Sequence, residues 1–240
     1  MPRSVSTHSL TDELDAALRR AGSPARAVQA KRYLKSELAF YGCGVPALRR
    51  EAKALWRAHG PFERKPLLAL AEALWREPVH ERRTAAVELL VLGVASLQPA
   101  DVPVLERMLR EARTWALVDA LAPAVVGPLH VAHPAALGKV LDRWAKDDDF
   151  WIRRAALLTL LLPLRAGGGE RERFSRYADA MLEEKEFFIR KAIGWVLREI
   201  SKRDPAWVTA WLRPRAERCS GVTWREAVKY LPSPPPRRGK

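Results

Sequence analysis

Apolar residues along the chain recur every three or four positions, and no segment shows the sustained two-residue alternation of a strand. Leu48, Ala52 and Leu55 form one such helical stripe. Ser23-Pro24 has the residues of a helix cap followed by a first helical position, and predicts a helix that runs to about Phe40. We therefore predict an all-α fold of roughly a dozen short antiparallel helices.

Breakers and low-complexity segments divide this helical pattern. Thr114 is expected to cap a helix that reaches about Gly127, with Pro123 kinking its middle. Residues 165–169, which end in three glycines at 167–169, predict a flexible internal linker. We expect a single domain over residues 1–231, followed by a disordered proline- and arginine-rich tail over residues 232–240.

Three segments resemble one another: residues 82–87, 153–157 and 190–193 each pair basic residues with a following apolar stretch. Arg154 and Lys191 are 37 residues apart, and Asp119 lies 36 residues after Arg83 and 35 before Arg154. A two-helix unit of about 35–40 residues is typical of a HEAT-like solenoid, an α-α superhelix. We expect a column of positions at Arg83, Asp119, Arg154 and Lys191 along a concave, basic surface.

Charge indicates the class of partner. The chain has 42 Lys and Arg against 28 Asp and Glu, a formal charge of +14. A polyanion is the default partner for such a chain, with nucleic acid ahead of an anionic membrane. A solvated basic surface, or an arginine bias of the source genome, remains the alternative explanation.

Asp119 is the acidic exception in the basic column, and two interpretations stay open for it. It forms an ion pair with Arg154 that holds two repeats together, or it faces a cationic or electron-poor group on bound DNA. Tryptophans favour the second, since Trp115 lies one helical turn before Asp119, Trp195 one turn after Lys191, and Trp151 three residues before Arg154. Aromatic rings among basic residues suit contact with nucleotides, although core packing is the ordinary role of tryptophan.

Several site classes find little support in the sequence. The two cysteines, Cys43 and Cys219, lie far apart without a C-x-x-C pair, which argues against a disulfide framework and a structural zinc site. We interpret His130 and His133 as surface loop residues, and expect no metal and no cofactor. The longest apolar run, residues 155–164, is too short to span a bilayer, and the first eight residues lack the apolar region of a secretory signal. A reducing cytosol is the expected compartment.

Motifs over nearly the whole chain, in order, resemble one family. Residues 114–119, with Pro123 and Gly127 after them, resemble the W-x-x-x-D segment of the AlkD-like DNA glycosylases, the DNA alkylation repair enzymes. Residues 151–156 resemble that family's tryptophan–arginine helix, and residues 185–199 are very similar to one of its signatures. Residues 30–35 and 225–229 add further matches.

The resemblance implies a HEAT-like fold whose concave face holds duplex DNA, and excision of positively charged alkylpurines such as 3-methyladenine and 7-methylguanine. It implies that Asp119 is the catalytic carboxylate, that Trp115 and Trp195 contact the sugar of the damaged nucleotide, and that Arg154 binds the backbone near it. The remaining predicted DNA-binding residues are Tyr33, Arg83, Trp151, Arg190, Lys191 and Arg198.

The expected enzyme is monofunctional, because no lysine is placed as an obvious Schiff-base nucleophile. We expect a monomer in the bacterial cytosol, associated with the nucleoid when bound to DNA, and chemistry with the damaged base left largely in the stack. Two alternatives remain: a non-catalytic helical-repeat nucleic-acid-binding protein, and a protein-binding HEAT scaffold, for which a charge of +14 is unexpected.

Overall fold

The structure is a computed structural model in which residues 5–237 are described. Fifteen α-helices fill this range, and its β pairing is a single isolated bridge between Ala39 and Val79. The predicted all-α, helical-repeat fold is confirmed. The contacts divide the chain into two compact units, Met1–Leu121 and Ala122–Lys240, and the expected single domain stays a prediction.

The first unit has seven α-helices among its described residues. They are α1 (Thr7–Arg20), α2 (Pro24–Leu34), α3 (Val45–His59), α4 (Arg64–Arg76), α5 (His80–Leu92), α6 (Val102–Ala112) and α7 (Trp115–Leu121). Helix α5 contacts α3, α4 and α7, so that alternate helices of the unit, α3, α5 and α7, lie side by side in a row. This is the arrangement expected when two-helix repeats stack.

The second unit has eight α-helices among its described residues. They are α8 (Gly127–Ala132), α9 (Pro134–Trp144), α10 (Phe150–Thr159), α11 (Leu161–Arg165), α12 (Arg171–Met181), α13 (Phe187–Ser201), α14 (Pro205–Leu212) and α15 (Gly221–Ala227). Helix α13 packs against both α10 and α15, which again forms a row of non-adjacent helices. The predicted cap Ser23 begins α2, and the side chains of Asp149 and Asp204 cap α10 and α14 in the same way.

Helix α2 ends earlier than the sequence pattern predicts. Its last residue is Leu34, and Lys35 follows in the left-handed conformation with φ 48°. The chain then runs as a loop in which the backbone of Ala39 exchanges hydrogen bonds with Pro78 and His80. The predicted end near Phe40 is therefore wrong, because pairing with residues far along the chain replaces helix. None of the residues of α2 is buried.

A buried carboxylate holds the loop that follows α2. Glu81, on α5, is 2% exposed, and its oxygens accept hydrogen bonds from the backbone N–H groups of Tyr41, Gly42 and Cys43. Three such donors compensate for the loss of water around the carboxylate. Gly42 has φ 76°, and a Cβ there would meet the backbone of Ser23 and Ala27, so the loop can approach α2 closely.

Residues 115–132 form one helical segment in which Ala122–Val126 is a π-helical turn. Pro123 lies in this turn, where a missing N–H and the ring disturb the helical ladder as predicted. The segment is long and apolar enough to cross a membrane by length and composition. A little over half of it is buried in the protein, with Leu117, Val118 and Val125 fully so, as in the core helix of a folded domain.

The described part of the tail, residues 232–237, has contacts with the second unit. Arg237 donates a hydrogen bond of 2.6 Å to the carbonyl oxygen of Cys219, and its guanidinium lies over the ring of Trp224 at 5.4 Å. The remaining tail residues, 238–240, lie outside the described residues. Disorder of the tail as a whole stays a prediction, which these contacts do not favour.

Candidate active site

Helix α7 carries the predicted catalytic pair. Trp115 is its first residue and Asp119 lies one turn later, and both side chains are partly exposed. Leu117, Val118 and Leu121, between and after them, are fully buried. Burial of one face fixes the rotation of the helix, so that Trp115 and Asp119 share its more accessible side.

The ring of Tyr33 lies edge-on to that of Trp115. The ring centroids are 5.7 Å apart and the planes are at 84°. Tyr33 lies at the end of α2 and is 73% exposed. An edge-to-face contact positions both rings while leaving much of their surface open. The structure thus brings together two of the predicted site residues, which are more than eighty residues apart in the chain.

The residues just before α7 have an unusual conformation. Arg113 adopts a left-handed backbone with φ 46° and is exposed. Thr114 is 2% exposed, and its hydroxyl oxygen has no hydrogen-bond partner among the described residues. The predicted side-chain cap by Thr114 is therefore wrong. A buried hydroxyl without a partner is costly, and here it lies directly before Trp115.

Arg83, on α5, is buried in the first unit, where it binds backbone carbonyl oxygens. It is 8% exposed, and its guanidinium donates to the carbonyl oxygens of Trp75 and Glu111 and lies 5.0 Å from the Trp75 ring. Burial lowers the pKa of Arg83 from its ordinary value; the Glu111 carboxylate opposes this shift, and the positive charge of Arg113 adds to it. Arg83 as a DNA contact stays a prediction, which its burial does not favour.

Arg154 is placed similarly in the second unit. It is 2% exposed, and it donates a hydrogen bond to the carbonyl oxygen of Phe188, on α13. Its guanidinium also lies 5.8 Å from the Phe188 ring. Arg83 and Arg154 thus each reach forward about one repeat to a backbone carbonyl, which is a shared structural role for equivalent positions. The phosphate contact and the ion pair predicted for Arg154 stay predictions.

An aromatic cluster surrounds Trp151. Its ring lies 4.5 Å from that of Phe150 and 4.9 Å from that of Phe188, and Phe188 contacts Phe187, which is 50% exposed. Trp151 is itself partly exposed. Packing against Phe150 and Phe188 buries part of the Trp151 ring. The rest is accessible, and contact between Trp151 and DNA stays a prediction.

Glu226 neutralises two of the predicted DNA-binding cations. Its carboxylate accepts a hydrogen bond from Arg198 and lies 3.4 Å from the Lys191 ammonium. Lys191 is exposed, and Arg198 is partly exposed. Sequence reasoning missed Glu226, although its place in the matched segment 225–229 and its 35-residue distance from Lys191 are signals that could have found it.

Close packing of α13 against α15 positions Glu226. A Cβ at Gly194 would lie 2.7 Å from Cβ of Glu226 and 2.8 Å from the carbonyl oxygen of Thr223, so only glycine fits. The Thr223 hydroxyl donates to the carbonyl oxygen of Arg190 at 3.0 Å.

Trp195 follows Gly194 directly and is partly exposed. Arg190 donates to the carbonyl oxygen of Glu184, so it is engaged within the protein.

The interpretation of His130 as a surface loop residue is wrong. It lies on α8, is 3% exposed, and its Nε2 is 2.7 Å from a carboxylate oxygen of Glu170. The partner is forty residues further on, which no local pattern shows. Within residues 5–237 there is no cluster of three or more His, Cys, Asp or Glu side chains with the geometry to hold a metal ion.

A cavity in the first unit has a volume of about 940 Å³. Tyr33, Trp115 and Asp119 are not among the residues that line it. Two of its arginines are paired with carboxylates, Arg82 with Asp15 and Arg107 with Glu72. This charge balance gives the cavity little preference for anions, and we assign it no role.

Comparison with known proteins identifies the family. The sequence profile of the DNA alkylation repair enzymes matches residues 14–231. The chain belongs to the DNA alkylation repair enzyme family. Its match covers the helices that carry Tyr33, Trp115, Asp119, Arg154 and Trp195. No curated protein matches this family member by sequence.

Solved structures share the fold of this chain. A "predicted DNA alkylation repair enzyme" from Enterococcus faecalis is 25% identical and superposes with a TM-score of 0.79, over 88% of this chain and 97% of that chain. AlkD2 from Streptococcus mutans is 17% identical and has a TM-score of 0.66, over 95% of this chain and all of that one. At that identity the second likeness shows the fold alone.

Proposed function

We propose that this DNA alkylation repair enzyme is a DNA glycosylase that hydrolyses the N-glycosidic bond of positively charged alkylated purines, 3-methyladenine and 7-methylguanine, in duplex DNA. Family membership supports the repair of alkylated DNA. The observation that carries the finer proposal is the position of Asp119, one turn after Trp115 on α7, with Trp115 held edge-on against the exposed ring of Tyr33.

Such a substrate needs little help from an acid. The alkylated base already carries a positive charge, so it leaves with the bonding electron pair of the C1′–N bond and becomes neutral. Positive charge then develops on the sugar, and a fixed carboxylate near C1′ stabilises it. Water adds to C1′ and loses a proton, and the same carboxylate orients this water. Asp119 takes both roles in the proposed mechanism.

Aromatic faces complete the site in this proposal. Trp115 packs against the sugar and adds cation–π stabilisation as its charge develops, and the sugar contact expected of Trp195 stays a prediction. Tyr33 fixes the orientation of the Trp115 ring through their edge-to-face contact. The exposure of Tyr33 and Trp115 supports chemistry on an open surface, with the damaged base left largely in the stack. Selectivity then comes from the charge of the damaged base, so neutral lesions are poor substrates.

The proposed protein is a monofunctional monomer of the cytosol that binds DNA through its excess of cations, without metal or cofactor. The direct test is to incubate the full chain with methylated genomic DNA and identify the released bases by mass spectrometry. We expect free 3-methyladenine and 7-methylguanine, and strands that break only after alkali or heat. Salt-sensitive DNA binding without any released base would support the alternative of a non-catalytic nucleic-acid-binding protein.

A further inference from the structure

Two residues other than glycine have a positive φ within residues 5–237, and both are cations. Lys35 has φ 48° and Arg113 has φ 46°. Each ends a helix, α2 and α6 respectively, at the position where glycine is the usual residue. A side chain in the left-handed conformation costs roughly 1 kcal/mol relative to glycine. A lysine and an arginine at these two positions therefore need a reason.

The same two residues flank the aromatic contact of the candidate site. Lys35 follows Tyr33 by two residues, and Arg113 precedes Trp115 by two residues. The rings of Tyr33 and Trp115 are in contact. Both cationic side chains are exposed, and neither forms a hydrogen bond or ion pair with another residue of the described range. The chain thus carries two accessible cations, each two residues from a ring of the pair.

The helix dipole does not explain why a lysine and an arginine, and not glycine, follow α2 and α6. Cations favour the C-terminal end of a helix, but the last turns of α2 and α6 already carry Lys31 with Arg32, and Arg110. Burial lowers the pKa of Arg83, the Glu111 carboxylate raises it, and the charge of Arg113 lowers it again, so Arg113 lies near enough to Arg83 to repel it. Like charge beside Arg83 adds a cost that glycine at position 113 would avoid. An anion bound by Lys35 and Arg113 would compensate for both the backbone strain and the repulsion.

We infer that Lys35 and Arg113 bind backbone phosphates of DNA on either side of the nucleotide that Tyr33 and Trp115 contact. This inference rests on the proposed function for the identity of the nucleotide, but the phosphate contacts themselves require only DNA binding. Contacts to phosphate fix the register of the strand without reading its sequence. Lys35 and Arg113 are thus positioning residues that place the sugar next to Asp119.

Glycine substitutions separate a ligand-binding role from a structural one. Lys35→Gly and Arg113→Gly each remove a cation and relieve the backbone strain, so Tm should stay the same or rise. Binding to an undamaged duplex is measured over a series of salt concentrations for each variant and for the double variant. The slope of log K against log salt should fall by about one for each cation removed.

Two further variants complete the design. Arg113→Lys keeps the charge on the same strained backbone and should keep the salt slope. Lys53→Gln removes an exposed charge from α3, away from the ring pair in sequence, and should change neither affinity nor slope. In base release from methylated DNA, the double glycine variant should show KM raised about ten-fold or more, with kcat within about three-fold of the parent.

Either of two results overturns the inference. One is a double glycine variant whose salt slope and affinity equal those of Lys53→Gln. The other is a fall in Tm for the glycine variants, which would give Lys35 and Arg113 a structural role. Failure of the proposed function has a different signature, because a parent protein that releases no base still gives a salt slope on undamaged DNA. The phosphate contacts are then tested by binding alone.

Discussion

Tyr33 and Trp115 stand edge to face, with ring centroids 5.7 Å apart, at the end of α2 and the start of α7. The contact joins an unburied helix to the helix that carries Asp119. An edge-to-face pair of this kind is worth about 0.5–1.5 kcal/mol beyond its buried area. It restricts the orientation of the Trp115 indole ring at the start of α7.

The first prediction concerns this ring pair. Tyr33→Phe keeps the ring and should lower the rate of base release by no more than about two- to three-fold, whereas Tyr33→Leu should lower it about ten-fold through loss of the aromatic contact. Single-turnover release of 7-methylguanine measures both. Tyr230→Leu, at another exposed tyrosine, is the matched control. Equal effects of Tyr33→Leu and Tyr230→Leu would remove Tyr33 from the site.

The second prediction concerns Arg83. Arg83→Met keeps most of the side-chain volume but removes the donors to the carbonyl oxygens of Trp75 and Glu111. We expect the free energy of unfolding to fall by about 1–3 kcal/mol, measured by chemical denaturation, against little change for the exposed control Arg57→Met. The salt slope of DNA binding should stay unchanged. A slope lowered by about one, with normal stability, would instead establish Arg83 as a phosphate contact.

The sequence predicts those features of the fold that depend on residues close together in the chain, and misses those that depend on residues far apart in it. The helices follow from apolar periodicity, and the cap at Ser23 was predictable because a cap and the first turn of its helix are adjacent in the chain. The end of α2 was not, because the loop after it is held by Glu81, forty residues away. His130 was misplaced for the same reason, since Glu170 is its partner.

In the candidate site too, features local in the chain were predictable and long-range contacts were not. The spacing of Trp115 and Asp119 on one helix face could be predicted locally, and the structure confirms it. The contact between Tyr33 and Trp115, and the neutralisation of Lys191 and Arg198 by Glu226, require knowledge of tertiary packing. A catalytic or DNA-binding role for each of these residues stays a prediction.

The third prediction concerns stability in acid. Burial alone would raise the pKa of Asp15, but hydrogen bonds from Tyr41, Arg19 and Arg82 outweigh it and lower the pKa below the ordinary 3.8. Burial, and then the bond to Asp15, raise the pKa of Tyr41 to about 12. Because the folded state binds the Asp15 proton more weakly than the unfolded state, this stabilisation is present above pH 3.8 and is lost as the pH falls through the lowered value.

Asp15→Asn tests this linkage. The variant should be less stable than the parent near neutral pH, and the difference should shrink as the pH falls below about 4. Thermal unfolding measured from neutral to acidic pH gives the comparison, with Asp148→Asn as the control at an exposed aspartate. A constant difference between Asp15→Asn and the parent across this range would contradict the assignment.

The fourth prediction concerns Glu226. Its carboxylate neutralises Lys191 and Arg198, so Glu226→Gln should free positive charge for DNA. We expect affinity for undamaged duplex to rise about three- to ten-fold, with a steeper dependence on salt. Glu183→Gln, which removes the partner of exposed Arg218, is the matched control. If Glu226→Gln binds no more tightly than Glu183→Gln, then Lys191 and Arg198 do not contact DNA.

The proposed catalytic role of Asp119 is the central claim, and release of 7-methylguanine from methylated duplex DNA by Asp119→Asn tests it most directly. The substitution keeps the size of the side chain and removes the negative charge that stabilises the developing sugar cation. We predict that base release falls by at least about a thousand-fold, while DNA affinity stays the same or rises and Asp148→Asn behaves as the parent. Normal base release by Asp119→Asn would contradict the account.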